Sequence, residues 1–181
     1  STRAICPRAT TGRPVKEMRT TLLALGAAAA AVGFHALSAQ DTPPDRSQDI
    51  AWMNAQQAYL GGLSHEDGWR AMPAGLKWRY VDYAGSGDKP RVEDTVTVHY
   101  AGTFLDGETF DSSFDRGEPA TFPLGRLIKA WQMAIPEMGV GDTIEIAAPA
   151  DLAYGPGGKG PIPGGATLLF TVQLLGIEPA A

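Results

Sequence analysis

Residues 94–111 read DTVTVHYAGTFLDGETFD, and their alternation decides the fold class. Val96, Val98 and Tyr100 fall on one face of an extended chain and Thr97 and His99 on the other, the period of a half-buried strand. Asp106-Gly107 supplies the residue pair that a tight hairpin favours, and Thr109-Phe110-Asp111 continues the sheet beyond it. Ser112-Ser113 reads as a bulge or corner.

Outward from this hairpin the same period recurs. LKWRYVDY (76–83) reads as a strand closed by a turn at Gly85–Asp88, Ala120–Leu124 as a short strand, and Thr143–Ala148 and Thr167–Ile177 as longer ones. A single helical pattern interrupts them: Leu127, Ile128, Trp131, Ala134, Ile135 and Met138 recur every three or four residues. Pro136 has no donor and clashes within a helix interior, so this helix is expected to end near Ile135. The expectation is an α+β domain, an antiparallel β-sheet whose concave apolar face wraps around one short α-helix. No internal repeat is evident.

Upstream, Asp45–Leu60 reads as a short N-terminal helix. Asp45 with Gln48 resembles a capping box, Gly61-Gly62 ends the helix, and Ile50, Met53, Gln57 and Leu60 share a face. Such a helix either lies on its own domain or serves docking or dimerisation.

The first 39 residues differ from the rest. Arg3, Arg8, Arg13, Lys16 and Arg19 precede TLLALGAAAAAVGF and then HALSAQ: a basic region, an apolar core and small residues, the pattern of a secretory signal peptide. Met18-Arg19 is the expected start, with residues 1–17 an upstream extension, and the cut falls after Ser38 or Ala39. The rival reading is a retained anchor, because about 20 uncharged residues suffice to span a bilayer. The domain plan is therefore a signal peptide at 1–39, a linker and short helix at 40–75, and the folded domain at 76–181.

Removing residues 1–39 takes away five basic residues and one acidic residue, so the net charge falls from −5 to −9. An acidic chain of this kind lacks the electrostatic footprint for nucleic acid. Cys6, the only cysteine, lies upstream of the cut, so neither a disulfide nor a thiol nucleophile is expected. His35, His65 and His99 do not cluster, and no Cys/His or His/carboxylate group suggests a metal. Cofactors and metals are expected to be absent. A nucleophile elbow of the G-x-S-x-G type is missing. Gly155–Gly160 formally matches G-x-G-x-x-G, but Pro161 and Pro163 follow where a helix would have to open.

The remaining signal is aromatic. Tyr100, Phe110, Trp131, Tyr154 and Phe170 come from five separate segments and can share one concavity, with Leu127, Ile128 and Ile162 between them. Nine of the eleven residues from Gly155 to Gly165 are Gly or Pro, which excludes helix and central strand there. Read with Tyr154 at its base and Ile162 at its tip, this loop would close over a guest.

Seven ordered strings make that guest specific: VHYAG (98–102), DGETFDSS (106–113), LIKAW (127–131), MGVGD (138–142), DLAYG (151–155), IPGGATLLF (162–170) and VQLL (172–175). Together, from Val92 to Ile177, they resemble the FKBP-type peptidyl-prolyl cis-trans isomerases. GLKWRYVDYAGSGDKP (75–90) is similar to the lead-in strand of the bacterial Mip-like branch. The resemblance implies an FKBP-like fold and rotation about X-Pro bonds of exported polypeptides, with no bond broken. It implies catalytic positions at Tyr100, Phe110, Asp111, Trp131, Tyr154 and Phe170, and substrate-binding positions at Leu127, Ile128, Ile162 and Arg116.

By the same resemblance Trp131 would form the floor under the proline ring. The Ile128 N–H and the Tyr154 hydroxyl would bond carbonyls of the bound peptide, and Asp111 would be held by Tyr100 and paired with Arg116. The implied partners are proline-containing polypeptides and macrolide inhibitors. The export pattern of residues 1–39 makes the periplasm the expected location, without stable membrane association, and the long dimerisation helix of Mip-like relatives has no room between residues 40 and 75, so a monomer is expected. Three positions depart from the family pattern. Ala130 stands where Gly precedes the Trp, and Pro161 replaces an aliphatic loop residue. Ala120 replaces a frequent wall aromatic, with Phe114 a candidate to compensate. A non-enzymatic module that holds Pro-containing segments in the same pocket is the competing reading, and dedicated chaperone activity a more distant one.

Overall fold

The computed structural model describes residues 46 and 48–180 apart from Ser86; the expected signal peptide, Cys6 and Asp45 lie outside them. Ten α-helices and strands follow one another along the described residues. They are α1 (Ile50–Gly62), β1 (Arg70–Ala71), β2 (Lys77–Asp82), β3 (Thr95–Thr103), β4 (Thr109–Ser112), α2 (Ser113–Arg116), β5 (Ala120–Pro123), α3 (Lys129–Ala134), β6 (Thr143–Ala148) and β7 (Leu168–Glu178). The strands form one seven-stranded sheet in the order β1-β2-β6-β7-β3-β4, with β5 also paired to β3. Every pairing is antiparallel.

The alternation read from residues 94–104 is present in β3. Val96, Val98, Tyr100 and Gly102 are buried and the residues between them half-buried. Ile144 and Ile146 of β6 and Phe170, Val172 and Leu174 of β7 continue the same inner face. Ala130, Trp131 and Ala134 of α3 pack into it. The helix is short for the expected reason: Pro136 falls in a 3-10 turn, Ile135–Glu137, that follows it directly. Asp106-Gly107 makes the expected hairpin, with Gly107 at φ 89° and the Asp106 carboxylate accepting from the Glu108 N–H.

Two local expectations change. Ser112-Ser113 is not the bulge; Ser112 caps the four-residue helix α2, its hydroxyl accepting from the Asp115 N–H. The bulge falls at Phe110, because Gly102 pairs with Asp111 while Thr103 pairs with Thr109.

The N-terminal helix begins later than expected. Its cap is Asp49, whose carboxylate accepts from the Trp52 N–H at 3.0 Å. The face expected to be apolar is largely outward, since Ile50 is 74% and Met53 39% exposed. What turns inward is Gln56, whose Oε1 accepts from the Thr167 N–H at 2.9 Å, together with Trp52 against the core. A backbone N–H buried at the entrance of β7 needs a partner, and this side chain supplies it. The helix therefore lies on its own domain. Beyond it, Arg79 bonds the Asp67 carbonyl, pairs with Glu145 at 2.6 Å and covers the buried Trp69 ring.

Candidate active site

Where α3 meets the concave face of the sheet there is a pocket of about 220 Å³. That is below the roughly 300–1,000 Å³ of sites for drug-sized ligands, and fits a ring rather than a nucleotide. Tyr100 comes from β3, Phe110 and Asp111 from β4, Trp131 from α3 and Phe170 from β7; all five line it. Leu127 and Ile128, at the entrance of α3, and Tyr154, before the glycine-rich loop, also line it.

The floor is a train of edge-to-face rings. Trp131 meets Tyr100 at 5.3 Å and 79°, and Phe170 at 5.5 Å and 87°. Phe170 in turn meets Phe110 at 5.8 Å and 90°. Aromatic rings prefer this geometry because the positive edge of one meets the negative face of the other. The indole Nε1–H of Trp131 is buried without an acceptor among the described residues. Trp131 lines the pocket with its ring.

The β4 bulge explains how Phe110 and Asp111, adjacent in sequence, both reach the pocket. In a regular strand consecutive side chains point to opposite faces; an extra residue re-aims one of them.

The Tyr100 ring belongs to this floor, and its hydroxyl opens a polar corner beside it. The Tyr100 hydroxyl donates to Asp111 Oδ2 at 2.6 Å, and Arg116 Nη1 donates to Oδ1 of the same carboxylate at 2.5 Å. Arg116 Nη2 also donates to the Tyr100 hydroxyl at 3.0 Å. Burial alone would raise the Asp111 carboxyl, but the bonds from Tyr100 and Arg116 outweigh it and hold it below the ordinary carboxylate value. Burial first, and the Asp111 bond second, push the Tyr100 phenol up. Near neutral pH the corner is thus a closed ion pair, and Asp111 has no proton to give.

Two further groups remain available to a ligand. Ile128 caps α3, and its N–H has no backbone acceptor among the described residues, whereas its carbonyl accepts from Trp131 and Gln132. The Tyr154 hydroxyl has no partner among the described residues, and burial, then the Asp111 charge, raises its pKa. Gln132, absent from the expected set, holds the preceding turn by donating to the carbonyls of Leu127 at 2.6 Å and Gly125 at 3.2 Å.

Two expectations are corrected. Ile162 is not the tip of the glycine-rich loop: it is 7% exposed, packs in the core and pairs with Lys159, so Gly160-Pro161 form the tip. Phe114 does not compensate for Ala120; it stacks on His99 at 4.8 Å, away from the pocket lining. The wall aromatic is Phe122, two residues beyond Ala120 on the same strand and lining the pocket. The period of two contained that signal. Among the described residues no group of three or more His, Cys, Asp or Glu could hold a metal ion. No helix among them is long and apolar enough to cross a membrane.

Comparison with known proteins agrees with this geometry. The chain is 46% identical over 126 residues to the FKBP-type peptidyl-prolyl cis-trans isomerase FkpA of Aeromonas hydrophila, covering 69% of this chain and 47% of that protein. It is 43% identical over 125 residues to the outer membrane protein MIP of Legionella longbeachae, covering 68% and 53%. The chain thus spans about half the length of these curated relatives. The crystal structure of FkpA from Escherichia coli superposes with a TM-score of 0.68 at 38% identity, covering 74% of this chain and 63% of that one. Residues 87–175 match the FKBP-type peptidyl-prolyl cis-trans isomerase domain, and the chain belongs to that family.

Proposed function

We propose that the protein is a peptidyl-prolyl cis-trans isomerase that binds the twisted X-Pro amide in the aromatic pocket and acts on exported polypeptides. The observation that carries this reading is the convergence of Trp131, Phe170 and Phe110 on one small cavity whose carboxylate is already neutralised. Isomerisation breaks no bond, so it needs neither nucleophile nor metal. The barrier of about 18–20 kcal/mol is the loss of amide resonance. In the twisted state the carbonyl is less polar than in either planar isomer, and apolar surroundings therefore favour that state, which is differential binding.

In this reading Trp131 supports the proline ring. The Ile128 N–H and the Tyr154 hydroxyl each hold one peptide carbonyl, and Gln132 keeps the Leu127-Ile128 turn in place. A lowering of roughly 6–8 kcal/mol corresponds to ~10⁴–10⁶-fold acceleration. The basic, apolar and small-residue order of residues 1–39 supports export across an inner membrane and release of the folded domain to the periplasm.

Exchange of Ala-Leu-Pro-Phe measured by NMR tests the activity, with enhancement at catalytic protein concentrations expected. Binding of the peptide without enhancement would replace this reading with that of a non-enzymatic module. The mature N-terminus, read by mass spectrometry, tests export: a start near residue 39 or 40 is expected, and an intact apolar stretch on the purified protein contradicts release.

A further inference from the structure

The inward series of β3 runs Val96, Val98, Tyr100 and then Gly102, which has no side chain where the others fill the core. Backbone conformation is not the reason, because Gly102 is not among the glycines at positive φ. Space is the reason. A Cβ built at Gly102 would lie 2.5 Å from Cζ and 2.7 Å from Cε2 of Phe110, and 3.1 Å from Cε1 of Phe170. Carbon atoms in contact rest at about 3.5–4.0 Å. The first two atoms belong to a ring that packs on Phe104 and Phe170, so it cannot step aside alone. Glycine within a strand weakens the sheet and marks close approach of another group.

We propose that Gly102 is a positioning residue for the isomerase site. Its bare Cα is the seat on which the Phe110 ring rests, and this seat sets the wall beside Trp131. Two devices act in series: the β4 bulge turns Phe110 toward the pocket, and Gly102 lets it settle there at right angles to Phe170. A Cβ displaces the ring and changes the width of the cavity that receives the twisted amide. The inference deepens the proposed activity and rests on it for its kinetic part.

The test is a double-mutant cycle of Gly102→Ala and Phe110→Ala, read both by kcat/KM on Ala-Leu-Pro-Phe and by thermal unfolding. Displacements of about 1 Å can cost ~10²-fold in rate, so Gly102→Ala is expected to lower kcat/KM by ~10–100-fold. In the Phe110→Ala background the ring is gone, and the same substitution is expected to change kcat/KM by less than about twofold, because contacting residues couple. A merely structural role would give the same loss in both backgrounds, and that result overturns the proposal. No loss from Gly102→Ala in the wild-type background overturns it too. If Gly102→Ala alone does not fold, the double variant decides: folding with the rate of Phe110→Ala supports the seat, and failure to fold refutes it. If the wild-type protein shows no isomerase activity, the functional reading falls, and the melting temperatures alone judge the seat. Coupling between the two sites there supports it, and additivity overturns it.

Discussion

On one side of the pocket Trp131, Phe170 and Phe110 touch through ring edges and faces at 5.5 and 5.8 Å. On the other, Tyr100 and Arg116 close on the Asp111 carboxylate through hydrogen bonds of 2.6 and 2.5 Å. The aromatic side is built into the core: Trp131 is 4% and Phe170 5% exposed. The polar side stands at the rim, where the Asp111 and Arg116 side chains are 43% and 50% exposed. The difference separates two tasks. The aromatic side contributes to folding and, in the proposed reaction, to the surroundings of the amide. The polar side consumes its own charges, which keeps a carboxylate next to the site from acting as a base or repelling a carbonyl.

Substitutions on the two sides should therefore differ in kind. The largest effect is expected at the floor: Trp131→Ala removes a buried ring and should cost about 3–5 kcal/mol in denaturant-induced unfolding. That is a large part of the roughly 5–15 kcal/mol that holds a domain together. Asp111→Asn should leave the fold intact at neutral pH and act on the pH dependence. The Asp111 carboxyl is depressed in the folded state, so its contribution is complete above the ordinary carboxylate value near pH ~4 and is lost as pH falls through the lower folded value. Acid titration of stability should be flatter in Asp111→Asn; an unchanged acid limb would show that the corner is not closed in solution.

A smaller effect is expected at Tyr154. Removing one hydrogen bond of about 0.5–1.5 kcal/mol by Tyr154→Phe should slow exchange by ~2–10-fold, without loss of stability. Because its phenol is raised, the hydroxyl remains a donor past pH ~10, and the rate should show no alkaline decline before that point. The smallest effect is expected for Phe114→Ala. Its ring stacks on His99, away from the pocket, and exchange should match the wild type. A clear loss there would place the wall differently.

The sheet and its helix were legible because each rests on a local period. Val96, Val98 and Tyr100 alternate, Pro136 stops α3, and Asp106-Gly107 turns the hairpin, all without reference to distant residues. Phe110 and Asp111 entering one pocket together were not legible from alternation, since the bulge breaks the period of two at that point. The aromatic set already contained Phe110, and resemblance to the family supplied Asp111 beside it; the register supplies the reason both enter. Gln56 escaped because its burial depends on a bond to Thr167, far along the chain. Ile162 escaped because a Gly/Pro-rich loop has no period from which to read its inward turn. Phe122 is legible from the period of two alone: it shares the parity of Ala120 on β5.

The central claim is that the aromatic side favours the twisted amide over its planar forms. NMR of Ala-Leu-Pro-Phe with the wild type and with Phe170→Leu, yielding both the peptide Kd and the exchange rate from one titration, tests it most directly. The account predicts that the exchange rate at saturation falls by a larger factor than the affinity. Loss of affinity with the saturated rate unchanged would contradict it, because the rings would then hold planar and twisted amides equally.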